Sequence, residues 1–283
     1  MASFTNFATL SYNGGTTNSN IVTGEILEAL TAVKTAVSAN YSAGDRITYA
    51  LSLVNTGTAA ITDYTVTDNL GGYTVGANTV YPLAYNAGTV RYYINGVLQT
   101  APTVTAGPPL TVTGLTVPAG GSAVLIYETT ATPVAPLATG SLITNTATIT
   151  GGGLTTPITA QATVETANSA VLTISKALSP TTVTENGQIT YTFVISNTGN
   201  TEATATGNVV VTDTFAPILR NIAVTYNGTA WTEGTNYTYN AATGVFTTLA
   251  GQITVPAATF TQNTDGTFTV TPGTATLVIT GTV

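Results

Sequence analysis

The chain is written twice. The stretch "GDRITYALSLVNTG" (Gly44 to Gly57) returns 142 residues later (186 − 44) as "NGQITYTFVISNTG" (Asn186 to Gly199). At the same offset "LTAVK" falls on "LTISK", and after a three-residue insertion "TVTD" ending at Asp68 pairs with "VVTD" ending at Asp213. Farther on, "GSAVLIYETTA" from Gly121 matches "GTATLVITGTV" from Gly273. A duplication on this scale constrains the fold strongly, because each copy must close a core of its own. With 283 residues, 43% of them hydrophobic, there is material for two such cores.

Each copy reads as β-structure. Runs such as "RITYALSLV", "VRYYI", "LTVTGLTV" and "QITYTFVIS" are rich in Val, Ile, Thr and Tyr and alternate apolar with polar positions. Asn95-Gly96 and Asn227-Gly228 each separate two such runs, and Asn-Gly supplies the positive φ angles of a type I′ hairpin. The expectation is an all-β protein of two tandem immunoglobulin-like β-sandwich domains, the first at residues 25–165 and the second at 166–283. The one helix-like stretch, "GEILEALTAV" with Ile26, Leu27, Leu30 and Val33, aligns with the better strand "TANSAVLTIS" and is read as a first strand.

The copies differ at their ends. The first continues into "TNTATITGGGLTTPITAQATV" from Thr144, the closing hairpin of its sandwich, whereas the second copy has no such segment. A related pattern occurs instead at the N-terminus, as "TNFATLSYNGG" from Thr5. A sandwich without its last strands exposes an apolar groove and unpaired backbone groups. Residues 1–24 are therefore expected to be an arm that donates strands to the second domain of a neighbouring copy, with Phe4, Phe7, Ala8, Leu10, Tyr12 and Ile21 as its contact residues. Leu277 and Ile279 are expected at the acceptor edge. Because donor and acceptor lie at opposite ends of the chain, the contact would propagate head to tail. An arm folded back on its own chain is the competing reading.

Charge is scarce, which makes its repetition informative. There are 12 acidic and 5 basic residues, a net charge of -7, and neither Cys nor His. Phosphate neutralisation, thiol and imidazole chemistry and the common metal sites are excluded, so no nucleic-acid partner, metal or cofactor and no enzymatic activity are expected. The two lysines, Lys34 and Lys176, coincide between copies, as do Asp68 and Asp213. Asn145 in the closing hairpin matches Asn6 in the arm. Each completed domain would thus hold one Lys, one Asp and one Asn.

That trio resembles the self-crosslinking immunoglobulin-like domains of Gram-positive pilins and adhesins. The resemblance implies an isopeptide bond, Lys34 to Asn145 beside Asp68 in the first domain, and Lys176 to Asn6 of the next copy beside Asp213 in the second. The same residues also admit plain Lys–Asp ion pairs with Asn satisfying backbone groups. Tyr92, Tyr93, Tyr226, Trp231, Tyr237 and Tyr239 suit either a glycan platform or cross-strand packing, the latter being the commoner use. "TDNLGG" and "NTDG" lack the ligand spacing of a calcium loop and read as turns.

The order "Y-x-x-x-x-x-N-T-G" (Tyr49 to Gly57, Tyr191 to Gly199), then "V-T-D", then "T-N-x-A-T", resembles the bacterial surface family called the conserved repeat domain, the eleventh domain of unknown function. The chain is also similar in size and layout to the main structural proteins of clostridial spore appendages. These resemblances imply a structural subunit of an extracellular or spore-surface fibre, a homopolymer with other surface or spore-coat proteins as possible partners. The N-terminus shows no signal-peptide pattern and no window reaches the length of a membrane span, which agrees with assembly on a spore. The alternative is an adhesin-like module that binds a glycan or protein without polymerising.

Overall fold

In the computed structural model, residues 2–26 and 29–283 are described, and Leu27 lies outside them. The protein is all-β, two immunoglobulin-like sandwiches with a single 3-10 turn (Ala205–Gly207) among the described residues. One unit holds the chain up to Ala135 together with Leu142–Glu165, and the other holds Pro136–Ser141 and Thr166–Val283. The segment Pro136–Ser141 is bound into the second unit by Asn200, whose amide donates to the Leu137 carbonyl at 3.0 Å.

In the first unit one sheet runs in the order Val97–Leu98, Arg91–Ile94, Ser122–Ala131, Arg46–Asn55, Leu30–Ala36. The other runs Thr103–Thr105, Leu110–Val117, Ile61–Asp68, Leu142–Gly151, Ile158–Thr166, Asn40–Tyr41. Alternation along each strand decides which side chains enter the core. Tyr49, Leu51 and Leu53 of one sheet, and Tyr64, Val66, Ala147 and Ile149 of the other, are buried between the layers. Asn95 and Gly96 have φ of 47° and 80°, as the expected type I′ turn requires, and Asn227 and Gly228 repeat this at 48° and 80°.

The second unit repeats the first sheet closely, in the order Leu172–Ser179, Gln188–Asn197, Gly273–Thr282, Arg220–Tyr226, Thr229–Trp231. Its opposite sheet is smaller: Thr212–Thr214, Val245–Thr248, Tyr237–Asn240. Thr212–Thr214 pairs with Val245–Thr248 on one side. Among the described residues no strand pairs its other side, where Leu142–Gly151 lies in the first unit.

Leu277 and Ile279 are not at an edge. Their strand, Gly273–Thr282, is hydrogen-bonded to Gln188–Asn197 on one side and Arg220–Tyr226 on the other, and both side chains are buried in the core. The open edge is instead Thr212–Thr214, because the missing neighbour belongs to the opposite sheet.

The N-terminal residues form a hairpin. Ala2–Asn6 pairs with Val22–Ile26, and Thr9–Tyr12 with Gly15–Asn18, each as a two-stranded sheet separate from the sandwich sheets. Phe4, Phe7, Leu10, Tyr12 and Ile21 are all more than half exposed. Ala8 is exposed as well.

Candidate functional site

Lys34 lies on the first strand of its sheet, opposite Leu51 of the neighbouring strand, and projects between the layers. Asp68 ends a strand of the facing sheet and pairs with Ala147. Asn145 is two residues along from Ala147, on the same inward face. The fold therefore places Lys34, Asp68 and Asn145 in the interior of one unit, all buried.

The Lys34 Nζ is 2.5 Å from Asp68 Oδ2, with the side chains 0% and 1% exposed. The Tyr127 hydroxyl donates to the same oxygen, and the Leu70 amide donates to Oδ1 at 3.0 Å. Tyr49 and Tyr127 stack with centroids 5.8 Å apart, and the Lys34 ammonium lies 4.9 Å from the Tyr49 ring centre. Burial pushes the Lys34 pKa down to about 8, against the opposing attraction of Asp68. Burial likewise raises the Tyr49 and Tyr127 hydroxyls, while Asn145, close to both, works in the opposite direction.

Asn145 is the anomaly. Its carboxamide is fully buried, yet neither its oxygen nor its nitrogen has a hydrogen bond of ordinary geometry. An unpaired buried amide costs several kcal/mol, roughly 1–3 for each orphaned group. The site thus presents a desolvated amine, a carboxyl in contact with it and an unpartnered carboxamide, the three groups that amide exchange needs.

In the second unit Lys176 Nζ is again 2.5 Å from Asp213 Oδ2, but the side chains are 40% and 17% exposed. The lysine lies 4.5 Å from the Tyr191 ring centre, as Lys34 does over Tyr49. The place of Tyr127 is taken by Ile279, so Asp213 has no tyrosine donor there. Around this lysine the inner face of its strand is bare. Ile174 is 56% and Leu178 38% exposed, whereas their first-unit counterparts Ala32 and Ala36 are half-buried beside the buried Lys34, and only Leu172, the counterpart of Leu30, packs against the second core.

Asn6 sits on the arm, paired with Val22 just as Asn145 pairs with Ala162. Thr5 with Thr23 and Thr144 with Thr163 repeat the match one residue earlier. Over Ala2–Asn6 and Val22–Ile26 the arm has the register of the first unit's closing hairpin, but its inner strands are slipped by one residue, Leu10 pairing with Thr17 and not with Asn18, the counterpart of Ile158. Its Phe4, Asn6, Ala8 and Leu10 align with the buried Ile143, Asn145, Ala147 and Ile149. Phe7 and Ile21 align with Thr146 and Gln161, which are not buried.

Tyr49 and Tyr127 escaped the sequence reading. Tyr49 is legible as the repeated Tyr of "ITY", but Tyr127 has no copy and left no signal. Of the six aromatic residues that suit a glycan platform or cross-strand packing, three are core residues. Tyr92, Tyr226 and Tyr237 are buried, and Tyr226 stacks on Trp231 at 4.9 Å. Among the described residues no helix is long and apolar enough to cross a membrane.

Architecture and site together define a tandem immunoglobulin-like β-sandwich protein with a lysine, a carboxylate and a paired-strand scaffold repeated in both units. No family model matches the chain, and no curated protein matches it. Among solved structures it is similar to a substituted form of the major pilin subunit of Bacillus cereus, at 14% identity over 96% of this chain and 73% of that one, TM-score 0.40. It is also similar to the pilus backbone protein of Streptococcus pneumoniae, at 13% identity over 86% and 55%, TM-score 0.36. A third is the N-terminal domain of a Streptococcus gordonii adhesin, at 14% identity over 48% and 32%, TM-score 0.36. The match thus spans about a third of the adhesin domain's length and about half of the pneumococcal protein's.

Proposed function

We propose that this protein is the structural subunit of an extracellular or spore-surface filament, and that it polymerises head to tail by donating its N-terminal hairpin to the second unit of the next copy. The observation that carries this reading is the bare inner face of Leu172–Ser179 beside the open edge of Thr212–Thr214. In the first unit a hairpin whose outer pairs share the register of Ala2–Asn6 with Val22–Ile26 covers the equivalent surface. Transfer of the first unit's pairing sets Ala8 opposite Asp213 and Leu10 opposite Val211 of the neighbour. Asn6 then enters the second unit where Asn145 enters the first, beside the lysine and the aspartate.

Each completed site is proposed to crosslink. The lysine ammonium passes a proton to the aspartate, and the free amine attacks the Asn Cγ. The aspartic acid protonates the tetrahedral oxygen, the aspartate then takes a proton from the attacking lysine nitrogen and gives it to the departing amide nitrogen, and it recovers the proton of the oxygen as the C=O re-forms. A C–N bond to lysine thus forms, the C–N bond to the amide nitrogen breaks, ammonia leaves and the aspartate ends protonated. No oxidant or cofactor enters the balance. Lys34 to Asn145 would staple the first unit internally, and Lys176 to Asn6 would make the filament covalent. The higher exposure of the Lys176 pair fits a site that is completed only on assembly.

Denaturing electrophoresis of boiled protein with intact mass spectrometry tests the proposal. The expected result is a ladder of multimers, each lighter by one ammonia per bond, with the ladder lost in Lys176→Arg. A ladder that persists in Lys176→Arg refutes the interchain assignment. Filaments formed by a variant lacking residues 1–23 refute strand donation.

A further inference from the structure

The two units differ in size at one place that the arm matches. In the first unit Tyr41 is buried at the end of the sheet, on the two-residue strand that borders Ile158–Thr166. Nearby, Ile143 packs on the turn at Gly71, where an added Cβ would come within 2.7 Å of its Cγ2. In the second unit the position of Tyr41 is Val183, and the turn at Gly71 and Gly72 is replaced by Ala216 and Pro217. Val183, Ile189, Pro217 and Val283 line an open apolar pocket there, with Glu185 and Arg220 also on its wall.

The arm shows the reciprocal change. Ile143 and Val164 face each other across the first unit's closing hairpin, and Phe4 and Gly24 take their places in the arm. The Phe4 ring lies across Gly24, so closely that an added Cβ would be 2.4 Å from its Cζ. Phe4 is 53% exposed where Ile143 is 2% exposed. Between the two settings a large ring has moved from the receiving sandwich (Tyr41 to Val183) to the inserting hairpin (Ile143 to Phe4), and the hairpin has lost a side chain to make room (Val164 to Gly24).

We infer that Phe4 is the specificity anchor of assembly, seated in the Val183–Ile189–Pro217–Val283 pocket of a second copy, and that Tyr41 bars the arm from first units. This rests on the donor-strand reading and adds to it a residue-level reason for head-to-tail order. Close-packed cores reject an extra ring as well as penalising a missing one. An arm carrying Phe4 cannot enter a groove that already holds Tyr41, so exchange with the first unit's own hairpin is excluded.

The test uses the full chain in a Lys176→Arg background, where assembly is not masked by covalent locking, with polymer measured by sedimentation and electron microscopy and folding by thermal unfolding. Phe4→Ala and Val183→Tyr should each raise the concentration needed for assembly by at least about 100-fold, the equivalent of losing one buried aromatic contact. Phe4→Ile combined with Val183→Tyr recreates the first unit's pairing and should restore assembly. Polymerisation of Val183→Tyr at the parent's concentration overturns the anchor, as does a double variant that folds and fails to recover. If in either case assembly still requires residues 1–23, strand donation itself stands. A folded parent that never polymerises overturns both.

Discussion

Asn145→Ala isolates the proposed staple of the first unit. The bond would join residues 111 positions apart (145 − 34). Closing a loop of that length lowers the entropy of the unfolded chain by about 4.7 kcal/mol in the chain-entropy treatment of crosslinks. Asn145→Ala forfeits that constraint, and a loss of about 4–5 kcal/mol in a unit of this size corresponds to a fall in Tm of roughly 10–20 °C. Scanning calorimetry reads the transition, and intact mass reads the chemistry on the same sample. The wild-type first unit should be one ammonia lighter than its sequence and Asn145→Ala should not. A wild-type protein at full sequence mass, or a variant that keeps the ammonia loss, refutes the bond between Lys34 and Asn145. A mass change that behaves as expected with an unchanged Tm refutes the energetic reasoning alone.

Two further expectations concern the units separately. In Asn145→Ala the unreacted Lys34 keeps a folded pKa of about 8, below the ordinary lysine value of 10.5. The unfolded chain then binds more protons between these values, so stability should rise with pH from about 8 until tyrosines of the unfolded chain ionise near pH 10. The full effect is on the order of 3 kcal/mol. Denaturant titrations from pH 7 to 10 should show this slope, and Lys34→Met in the same background should remove it. In the second unit Asn197 donates to the Thr201 and Pro256 carbonyls at 2.7 and 3.0 Å and accepts from the Gly199 and Val171 amides at 2.9 and 3.0 Å. Asn197→Ala orphans these groups and should cost at least about 3 kcal/mol, read as a lower urea midpoint for the second transition.

The duplicated "NTG" motif illustrates how function hides in plain repetition. Asn55 and Asn197 are buried and organise equivalent loops through their side chains, with donor bonds to Ala59 and Thr201 and acceptor bonds from Gly57 and Gly199. That role follows from a short polar side chain replacing backbone partners where two strands turn away from each other. Asp63 and Asn208 likewise hold matching positive φ angles of 55° and 51°. Such short-range signals survive in sequence because they act within a few residues.

Sequence alone determined the duplication, the strand content, the Asn-Gly turns and the recurrence of Lys, Asp and Asn, since periodicity, turn chemistry and copying are properties of neighbouring residues. Only the tertiary structure decided which edge is open. Leu277 and Ile279 read as edge residues because they close the second copy, yet their strand is central, for strand order depends on pairings between residues far apart in the chain. It also decided that Tyr127 reaches Asp68 across the sandwich and that Asn145 is buried without a partner. Those facts arise where two sheets face each other, and no local pattern records what stands on the opposite layer.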